Sequence, residues 1–257
     1  MVVLTEKKGN VGWIYLNQPK SLNSITNELA AGALSAIEEM EQDADVRVIV
    51  FTGAGRAFCA GGNLQALDAL DTEDAAREFV STVGEVSQAL FDCPKPVIGM
   101  INGVAAGAGF NLALACDILF AAEGVKFIQS FSNIGLAPDF GGHYFLPRAI
   151  GPWLAKKAMF DAAPITAEEG QKLGFVNAVY PAGELQAETE KYAEWLAARA
   201  PLALAACKKL INHSGEMTLA EVMEIESINQ AQLLMSEDCK EGLAAFAEKR
   251  QPVFSGK

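Results

Sequence analysis

The amino-acid sequence predicts an α/β fold, because runs typical of buried parallel strands alternate with stretches of helical periodicity. The segments VRVIVFTG (46–53) and PVIGMING (96–103) are largely apolar and end in glycine. Such runs suit strands that are covered on both faces of a parallel sheet. Between them, residues 73–92 have the spacing of an amphipathic helix. Strands and helices in alternation define the α/β class.

The other elements of the first half continue this alternation. Residues 1–17 alternate apolar and polar positions and break at Gly9-Asn10, which predicts two strands joined by a turn rather than a secretory signal. Apolar positions at helical spacing predict a helix over residues 25–41. Residues 106–116 predict a helix entered through glycine, and DILFAAE (117–123) predicts the strand that follows it.

Beyond about residue 152 the sequence is nearly all helical in pattern, and VNAVY (176–180) is the only predicted strand. The helical stretches are rich in Ala, Leu and Met. Helices of this kind more often cover a core or a subunit interface than carry catalytic groups. We therefore expect a core domain over residues 1–195 and a helical oligomerisation region over residues 196–257.

Composition limits the possible classes of function. Of the 257 residues, 51% are hydrophobic, which is enough for a substantial core. Lys and Arg number 20 against 32 Asp and Glu, and the net charge of -12 disfavours binding to nucleic acid or anionic lipid. The five cysteines are scattered without metal-ligand spacing, which favours a cytoplasmic protein without a metal site. No uninterrupted apolar run reaches the ~18 residues of a membrane span.

Two glycine-rich segments are candidates for ligand binding. GAGRAFCAGGNL (53–64) and NGVAAGAGFNLAL (102–114) each follow a predicted parallel strand, and the second leads into a helix. Either one alone is best explained as a tight turn. Two of them at the carboxyl ends of two parallel strands favour a binding site, because open α/β sheets bind ligands at that edge. Free N–H groups at a helix start would point at an anion placed there.

These segments also carry a family resemblance. KSLNSI (20–25), GAGRAFCAGGNL, KPVIGMINGVAAGAGFNLALACDI (95–118) and FSNIGLAPDFGG (131–142), in this order and spacing, resemble the enoyl-CoA hydratase/isomerase (crotonase) superfamily. The C-terminal segment EGLAAFAEKRQPVFSGK (241–257) resembles the same superfamily more weakly. The resemblance implies a crotonase-like spiral of repeated ββα units with a C-terminal helical trimerisation region. It also implies a homotrimer or a dimer of trimers.

The same resemblance implies an oxyanion hole for an acyl-coenzyme A thioester. Its two backbone donors match Gly62 in the first glycine-rich segment and Ala108 at the predicted helix start. Removing a proton next to a thioester carbonyl leaves negative charge on oxygen, which two preorganised N–H groups stabilise. Losing one such donor typically lowers the rate ~10²–10³-fold. Since the donors belong to the main chain, Ala at position 108 in place of the glycine of many relatives is tolerable.

The catalytic base expected from the resemblance is Asp139. Hydratases of this family use two glutamates, whose matching positions here are Asn111 and Phe131, so ordinary hydration is disfavoured. The isomerase branch that acts on 1,2-epoxyphenylacetyl-CoA carries GL-x-PD-x-GG with this Asp as its base. Apolar neighbours would raise the pKa of the carboxyl, which suits a proton acceptor. Read locally, Asp139 is instead a cap of a helix starting at Phe140.

Coenzyme A, as part of the substrate, is the only cofactor that we expect. By likeness to relatives it would contact Ser21, Leu22 and the stretch from Ala60 to Leu64. The residues of that stretch expected to bind are Ala60, Gly61, Asn63 and Leu64. Basic candidates for its phosphates are Lys7, Lys8, Lys20 and Arg56. The acidic segment 65–77 should be mobile and border the acyl pocket.

The sequence therefore predicts an isomerase that shifts a carbon–carbon double bond in an unsaturated acyl-CoA. A single carboxylate is sufficient for this reaction, because it removes a proton from one carbon and returns it to another. Alternatives are hydratase, hydrolase or lyase chemistry on the same enolate, or a non-catalytic acyl-CoA-binding protein. Whether Asn111 or His143 assists catalysis stays open, and a satisfied surface or core histidine is the more common case.

Overall fold

The computed structural model describes all residues from 1 to 257. Its strands are β1 (Val3–Lys8), β2 (Val11–Leu16), β3 (Val48–Gly53), β4 (Ala57–Cys59), β5 (Val97–Ile101), β6 (Val104–Ala106), β7 (Ile118–Ala122), β8 (Lys126–Ile128), β9 (Ile165–Thr166) and β10 (Ala178–Tyr180). Its α-helices are α1 (Asn27–Gln42), α2 (Leu64–Asp68), α3 (Glu73–Asp92), α4 (Ala108–Leu114), α5 (Gly142–Asp161), α6 (Ala167–Leu173), α7 (Leu185–Ala197), α8 (Pro201–Ser214), α9 (Leu219–Leu234) and α10 (Glu237–Glu248).

The larger of two sheets has the strand order β1-β2-β3-β5-β7-β10. β1 pairs antiparallel with β2 and every other neighbouring pair is parallel. β3 and β5 are buried along their full lengths, which confirms the strands predicted from their apolar runs. α7 packs across β3, β5 and β7, so this sheet is the centre of the hydrophobic core.

A second, smaller sheet has the order β4-β6-β8-β9. In three successive turns of the chain a long strand of the first sheet is followed by a short strand of the second and then by helix. The pairs of strands are β3 and β4, then β5 and β6, then β7 and β8. This winding is the spiral of ββα units that the resemblance implied, so that prediction is confirmed.

The glycine-rich segments are more ordered than the sequence indicated. They were expected to be turns, yet each contains a three-residue strand of the second sheet, β4 in one and β6 in the other. A strand of three residues is too short to give a hydrophobic period, so no sequence pattern could reveal it. The predicted helix after the second segment is confirmed as α4.

The helices α1 and α3 begin at side-chain caps. Thr26 accepts a hydrogen bond from the N–H of Leu29 at the start of α1, and Thr72 accepts one from Ala75 at the start of α3. Each cap satisfies an N–H group that has no partner inside the helix. The segment 65–77 contains most of α2 and the first turn of α3, and its expected mobility stays a prediction.

Beyond residue 152 the chain is mostly helical, as predicted, with β10 as the strand at VNAVY, but the two-residue strand β9 was not predicted. The predicted boundary between residues 195 and 196 lies inside α7, and the division into two regions remains a prediction. No whole residue of α8 or α9 is buried, although the side chain of Lys208 on α8 is only 7% exposed. Large apolar side chains are exposed along α8, α9 and α10, among them Ile211, Leu219, Met223, Leu243 and Phe246. None of the helices combines the length and apolarity that crossing a bilayer requires.

Candidate active site

A cavity of about 690 Å³ opens where the short strands of the second sheet end. α2, the first half of α3 and the loop from Ser130 to Phe140 form its walls. The lining is mostly apolar, and its polar side chains are Ser130, Asn133 and Asp139. Gly62, Ala108 and Asp139, which the sequence assigned to the site, all line this one cavity.

Gly62 lies in a bridge that leaves its amide without a protein acceptor. Ile25 donates its N–H to the carbonyl of Gly61 at 2.7 Å, and Asn63 donates to the carbonyl of Ile25 at 3.0 Å. In this parallel bridge the N–H of Gly62 points away from Ile25. Gly61 has φ +93°, a conformation that favours glycine and turns the chain after β4.

Ala108 is the first residue of α4, where amides lack partners inside the helix. The turn before it depends on Gly107, which has φ 52° and ψ −124° and donates its N–H to Ile128 at 2.8 Å. A Cβ added to Gly61 would lie 3.5 Å from the backbone nitrogen of Ala108, so the two glycine turns are in contact. Two free donors therefore border the same wall of the cavity.

Asp139 carries the only titratable side chain that lines the cavity. Its Oδ1 is buried and has no hydrogen-bond partner. Burial raises the pKa of the Asp139 carboxyl from its ordinary value of 3.8 to about 6, and a hydrogen bond from its own backbone N–H opposes this rise only in part. Near neutral pH this group can both accept and return a proton.

The interpretation of Asp139 as a helix cap is wrong. α5 begins at Gly142, not at Phe140, and its N-cap residue is Gly141, without any side-chain cap hydrogen bond. Phe140 and Gly141 have φ values of 49° and 76° and turn the chain between Asp139 and the helix. The carboxyl group of Asp139 is therefore free of a capping role.

The two positions that match the hydratase glutamates contain no acid. Phe131 lines the cavity with its ring. Asn111 is fully buried, and its Nδ2 donates to the backbone carbonyl of Asp139 at 2.8 Å. Its Oδ1 accepts a hydrogen bond from Nε2 of Gln129 at 2.7 Å. His143 is exposed and makes no hydrogen bond to Asp139, in agreement with the interpretation as a surface histidine.

The residues expected to contact coenzyme A lie near one another at the cavity. Ala60, Gly61 and Leu64 line it, and Leu64 is 65% exposed. Leu22 accepts a hydrogen bond from the N–H of Ala60 at 3.0 Å, which places the exposed Ser21 beside the same loop.

Asn63 differs from the other coenzyme A candidates, because its side chain is engaged within the protein. Its Oδ1 caps α2 by accepting from the N–H of Ala66 at 3.0 Å. Its Nδ2 donates to the hydroxyl of Ser24 at 3.0 Å. Its backbone is engaged as well, because its N–H donates to the carbonyl of Ile25 and its carbonyl accepts from the N–H of Leu67, both at 3.0 Å. The hydrogen bonds of Asn63 therefore shape this loop, and its role as a contact to coenzyme A stays a prediction.

The basic candidates separate into two pairs. Lys7 binds the carboxylates of Asp43 and Asp45, at 2.9 and 3.2 Å, so it is not a free phosphate ligand. Lys8 likewise lies 3.5 Å from a carboxylate oxygen of Glu190.

Lys20 and Arg56 are exposed and form no ion pair. Their loops meet, because a Cβ added to Gly55 would lie 2.8 Å from Cβ of Pro19. These two remain the candidates for contact with a phosphate.

Gln129 is the residue of this site that sequence reasoning missed. It directly follows β8 and is 1% exposed, and its Oε1 has no hydrogen-bond partner. A single glutamine after a short strand has no pattern that could mark it. Only the proximity to Asn111 reveals its connection to the cavity.

The winding of ββα units around a cavity at the ends of the second sheet defines the crotonase fold. The family model described as enoyl-CoA hydratase/isomerase matches residues 6–257. The chain belongs to this family, within the crotonase superfamily.

Individual relatives agree over nearly the whole chain. A probable mitochondrial enoyl-CoA hydratase of Dictyostelium discoideum is 37% identical over 98% of this chain and 90% of its own length. The 1,2-epoxyphenylacetyl-CoA isomerase of Escherichia coli K12 is 35% identical over 99% of this chain and 98% of its own. The crystal structure of an enoyl-CoA hydratase from Bacillus anthracis superposes with a TM-score of 0.96 and 31% identity, covering 100% of both chains.

Proposed function

We propose that the protein is an isomerase that shifts the double bond of an unsaturated acyl-CoA, with Asp139 as proton shuttle. The N–H groups of Gly62 and Ala108 would form the oxyanion hole. The observation that carries this proposal is the pairing of one buried, unpartnered carboxyl oxygen with two free backbone donors on one cavity. No second acid lines the cavity.

The reaction can be written for a 3-enoyl thioester. The Asp139 carboxylate takes a proton from the α-carbon, and the electron pair of that C–H bond moves into a dienolate whose charge rests on the thioester oxygen. The amides of Gly62 and Ala108 stabilise this charge. The Asp139 carboxyl then returns the proton to the γ-carbon, and the double bond lies between the α- and β-carbons. No atom is gained or lost.

Hydration is the second candidate, because several similar proteins carry the name enoyl-CoA hydratase. Adding water requires a group that positions the nucleophile besides the group that handles the proton. Here Asn111 uses its amide within the protein and Phe131 offers only a ring. These observations favour isomerisation over hydration.

The coenzyme A part of the substrate would lie across the rim formed by the loops of Leu22 and Ala60. Lys20 and Arg56 supply positive charge there, in a protein whose net charge is -12. The same two side chains are candidates for its phosphate groups. Substituting both by Ser should raise KM for the acyl-CoA with little change in kcat, because these groups bind substrate and transition state equally.

We propose in addition that α8, α9 and α10 form subunit contacts in a homotrimer or a dimer of trimers. Their exposed apolar side chains support this, since soluble monomers rarely expose large contiguous apolar patches.

The test of function compares cis-3-, trans-3- and trans-2-enoyl-CoA as substrates and follows the products by mass. Isomerisation conserves mass, whereas hydration adds the mass of one water. Asp139→Asn should abolish isomerisation, and Asp68→Asn, which changes an exposed acid on neighbouring α2, is the matched control. Water addition that persists in Asp139→Ala would refute the proposal.

A non-catalytic acyl-CoA-binding protein predicts a different outcome of the same experiment. In that case the unsubstituted protein and Asp139→Asn would both bind acyl-CoA and show equally negligible turnover. An isomerase requires that Asp139→Asn keeps the affinity and loses the turnover.

A further inference from the structure

The hydrogen-bond chain from Gln129 through Asn111 to Asp139 is not explained by the reaction itself. Neither amide touches the cavity, and the two side chains are 1% and 0% exposed. We propose that Asn111 is a positioning residue which, held by Gln129, fixes the backbone of Asp139 so that its carboxyl group faces the cavity. This inference rests on the proposed isomerase function.

The direction of this hydrogen-bond chain is determined by its last acceptor, the backbone carbonyl of Asp139. The backbone carbonyl of Asp139 can only accept, so Asn111 must turn its Nδ2 towards it, and the distance is 2.8 Å. Oδ1 of Asn111 then faces Gln129, which must present Nε2, at 2.7 Å. One arrangement of the two amides satisfies every contact in the chain, and this gives Asn111 a single orientation.

Apart from a hydrogen bond from its own backbone N–H, the carboxyl group of Asp139 has no partner within the protein. Its Oδ1 has no hydrogen-bond partner, and no other side chain donates to the carboxyl. The main chain therefore determines where the group points. The carbonyl of Asp139 accepts from Asn111 and also from the N–H of Gly142 at 2.9 Å, at the start of α5.

Asn111 also connects the base to the oxyanion hole. It lies on α4, three residues after Ala108, and so about one helical turn from the proposed donor. Gln129 follows Ile128, whose carbonyl holds Gly107 at 2.8 Å. The distance between the proton shuttle and the amide of Ala108 is thus maintained by one rigid helix and one buried amide pair.

The packing around Asn111 leaves no room for adjustment. A Cβ added to Gly142 would lie 2.4 Å from Nδ2 and 2.7 Å from Oδ1 of Asn111. The start of α5 is therefore in direct contact with this amide. Any side chain at position 142 would displace Asn111 and, with it, the contact to the Asp139 carbonyl.

The experiment measures kcat and KM for the 3-enoyl-CoA in Asn111→Leu, Gln129→Leu and the double variant. Asn111→Leu should lower kcat ~10–100-fold, because small misplacements of a catalytic group have effects of that order. KM should stay within about twofold, because Asn111 does not line the cavity. Gln129→Leu should have a smaller effect in the same direction. The double variant should be no worse than Asn111→Leu, because the two residues act in series.

Thr52→Val is the matched control for losing a buried hydrogen bond. Thr52 is fully buried in β3 and donates to the carbonyl of Met100 at 2.6 Å, away from the cavity. It should lower the unfolding midpoint without lowering kcat. The inference is overturned if Asn111→Leu keeps its kcat, if the two single effects multiply, or if Thr52→Val lowers kcat equally.

Gly142→Ala covers the case in which Asn111→Leu does not fold. It keeps both amides and displaces Asn111 through its added methyl group, so kcat should fall while KM does not change. A folded Gly142→Ala with normal kcat would overturn the inference. Asp139→Asn separates the two proposals. If Asp139→Asn keeps its activity, the isomerase proposal fails. If Asp139→Asn is inactive and Asn111→Leu is fully active, only the positioning role of Asn111 is refuted.

Discussion

Replacing Asp139 by Asn should stabilise the protein while it destroys activity. The native state holds this carboxyl where burial raises its pKa from 3.8 to about 6. Above pH 6 the folded protein therefore carries a carboxylate that would be better solvated in the unfolded chain. The charge on Asp139 therefore lowers the free energy of unfolding at neutral pH, and a substitution that removes the charge should raise it.

The magnitude follows from the pKa difference. A rise of about 2 pKa units corresponds to ~3 kcal/mol at ~1.36 kcal/mol per unit. Because Asp139 retains some contact with solvent, we expect a gain of ~1–3 kcal/mol for Asp139→Asn at pH 8. The gain should decrease as pH falls from 6 towards 3.8, because the carboxyl becomes protonated in the folded protein while it is still ionised in the unfolded chain. At pH 5 about half of it should remain, by the same linkage relation.

Urea unfolding at pH 8 and pH 5, at one protein concentration, measures this difference. Subtracting the two values cancels contributions that do not depend on pH, including those of the new amide. The exposed acid Asp68 gives the control, since Asp68→Asn should leave the unfolding free energy within ~0.5 kcal/mol at both pH values. If Asp139→Asn destabilises at pH 8, or if its effect is equal at the two pH values, the carboxyl is not desolvated as described.

Three further expectations follow from the same structure. The kcat/KM of the unsubstituted protein should rise with pH and level off above neutrality, with a midpoint near 6, because Asp139 can accept a proton only when it is ionised. A flat profile from pH 5 to 8 would exclude Asp139 as the base. Gly107→Ala should lower kcat ~10²-fold, as measured by steady-state kinetics, because an L-residue does not adopt φ 52° with ψ −124° and the amide of Ala108 would move. Ile211 on α8 is 72% exposed, and Ile211→Asp should shift the oligomer distribution in native mass spectra towards monomers. A retained near-ultraviolet circular dichroism spectrum would show that the variant is folded. An unchanged oligomer distribution would show that α8 is not an interface.

The long elements could be predicted from sequence because each carries its own local signal. Helix α3 was predicted over residues 73–92, the range that the structure shows, since its apolar stripe is regular and Thr72 caps it. β3 and β5 were evident from continuous apolar runs. β4 and β6 were not, since three residues contain no period and their pairing joins distant parts of the chain.

The candidate site shows the same division. Gly62, Ala108 and Asp139 were found through motifs, and the structure places them on one cavity. The helix-cap interpretation of Asp139 failed because helix starts are not fixed by sequence to within two residues. Lys7 and Lys8 looked available in sequence, but their acidic partners come from residues more than 30 positions away.

Asn111 and Phe131 change the electrostatics of the cavity as well as its chemistry. A second carboxylate beside Asp139 would repel its charged form and raise its pKa further, so the two acids would share one proton near neutrality. With an amide and a ring at these positions, Asp139 titrates alone against an apolar lining. A lone acid with a pKa of about 6 exchanges a proton with carbon in both directions at neutral pH, and isomerisation requires both directions in each turnover. The absence of a second acid from the cavity therefore supports the proposed isomerisation over hydration.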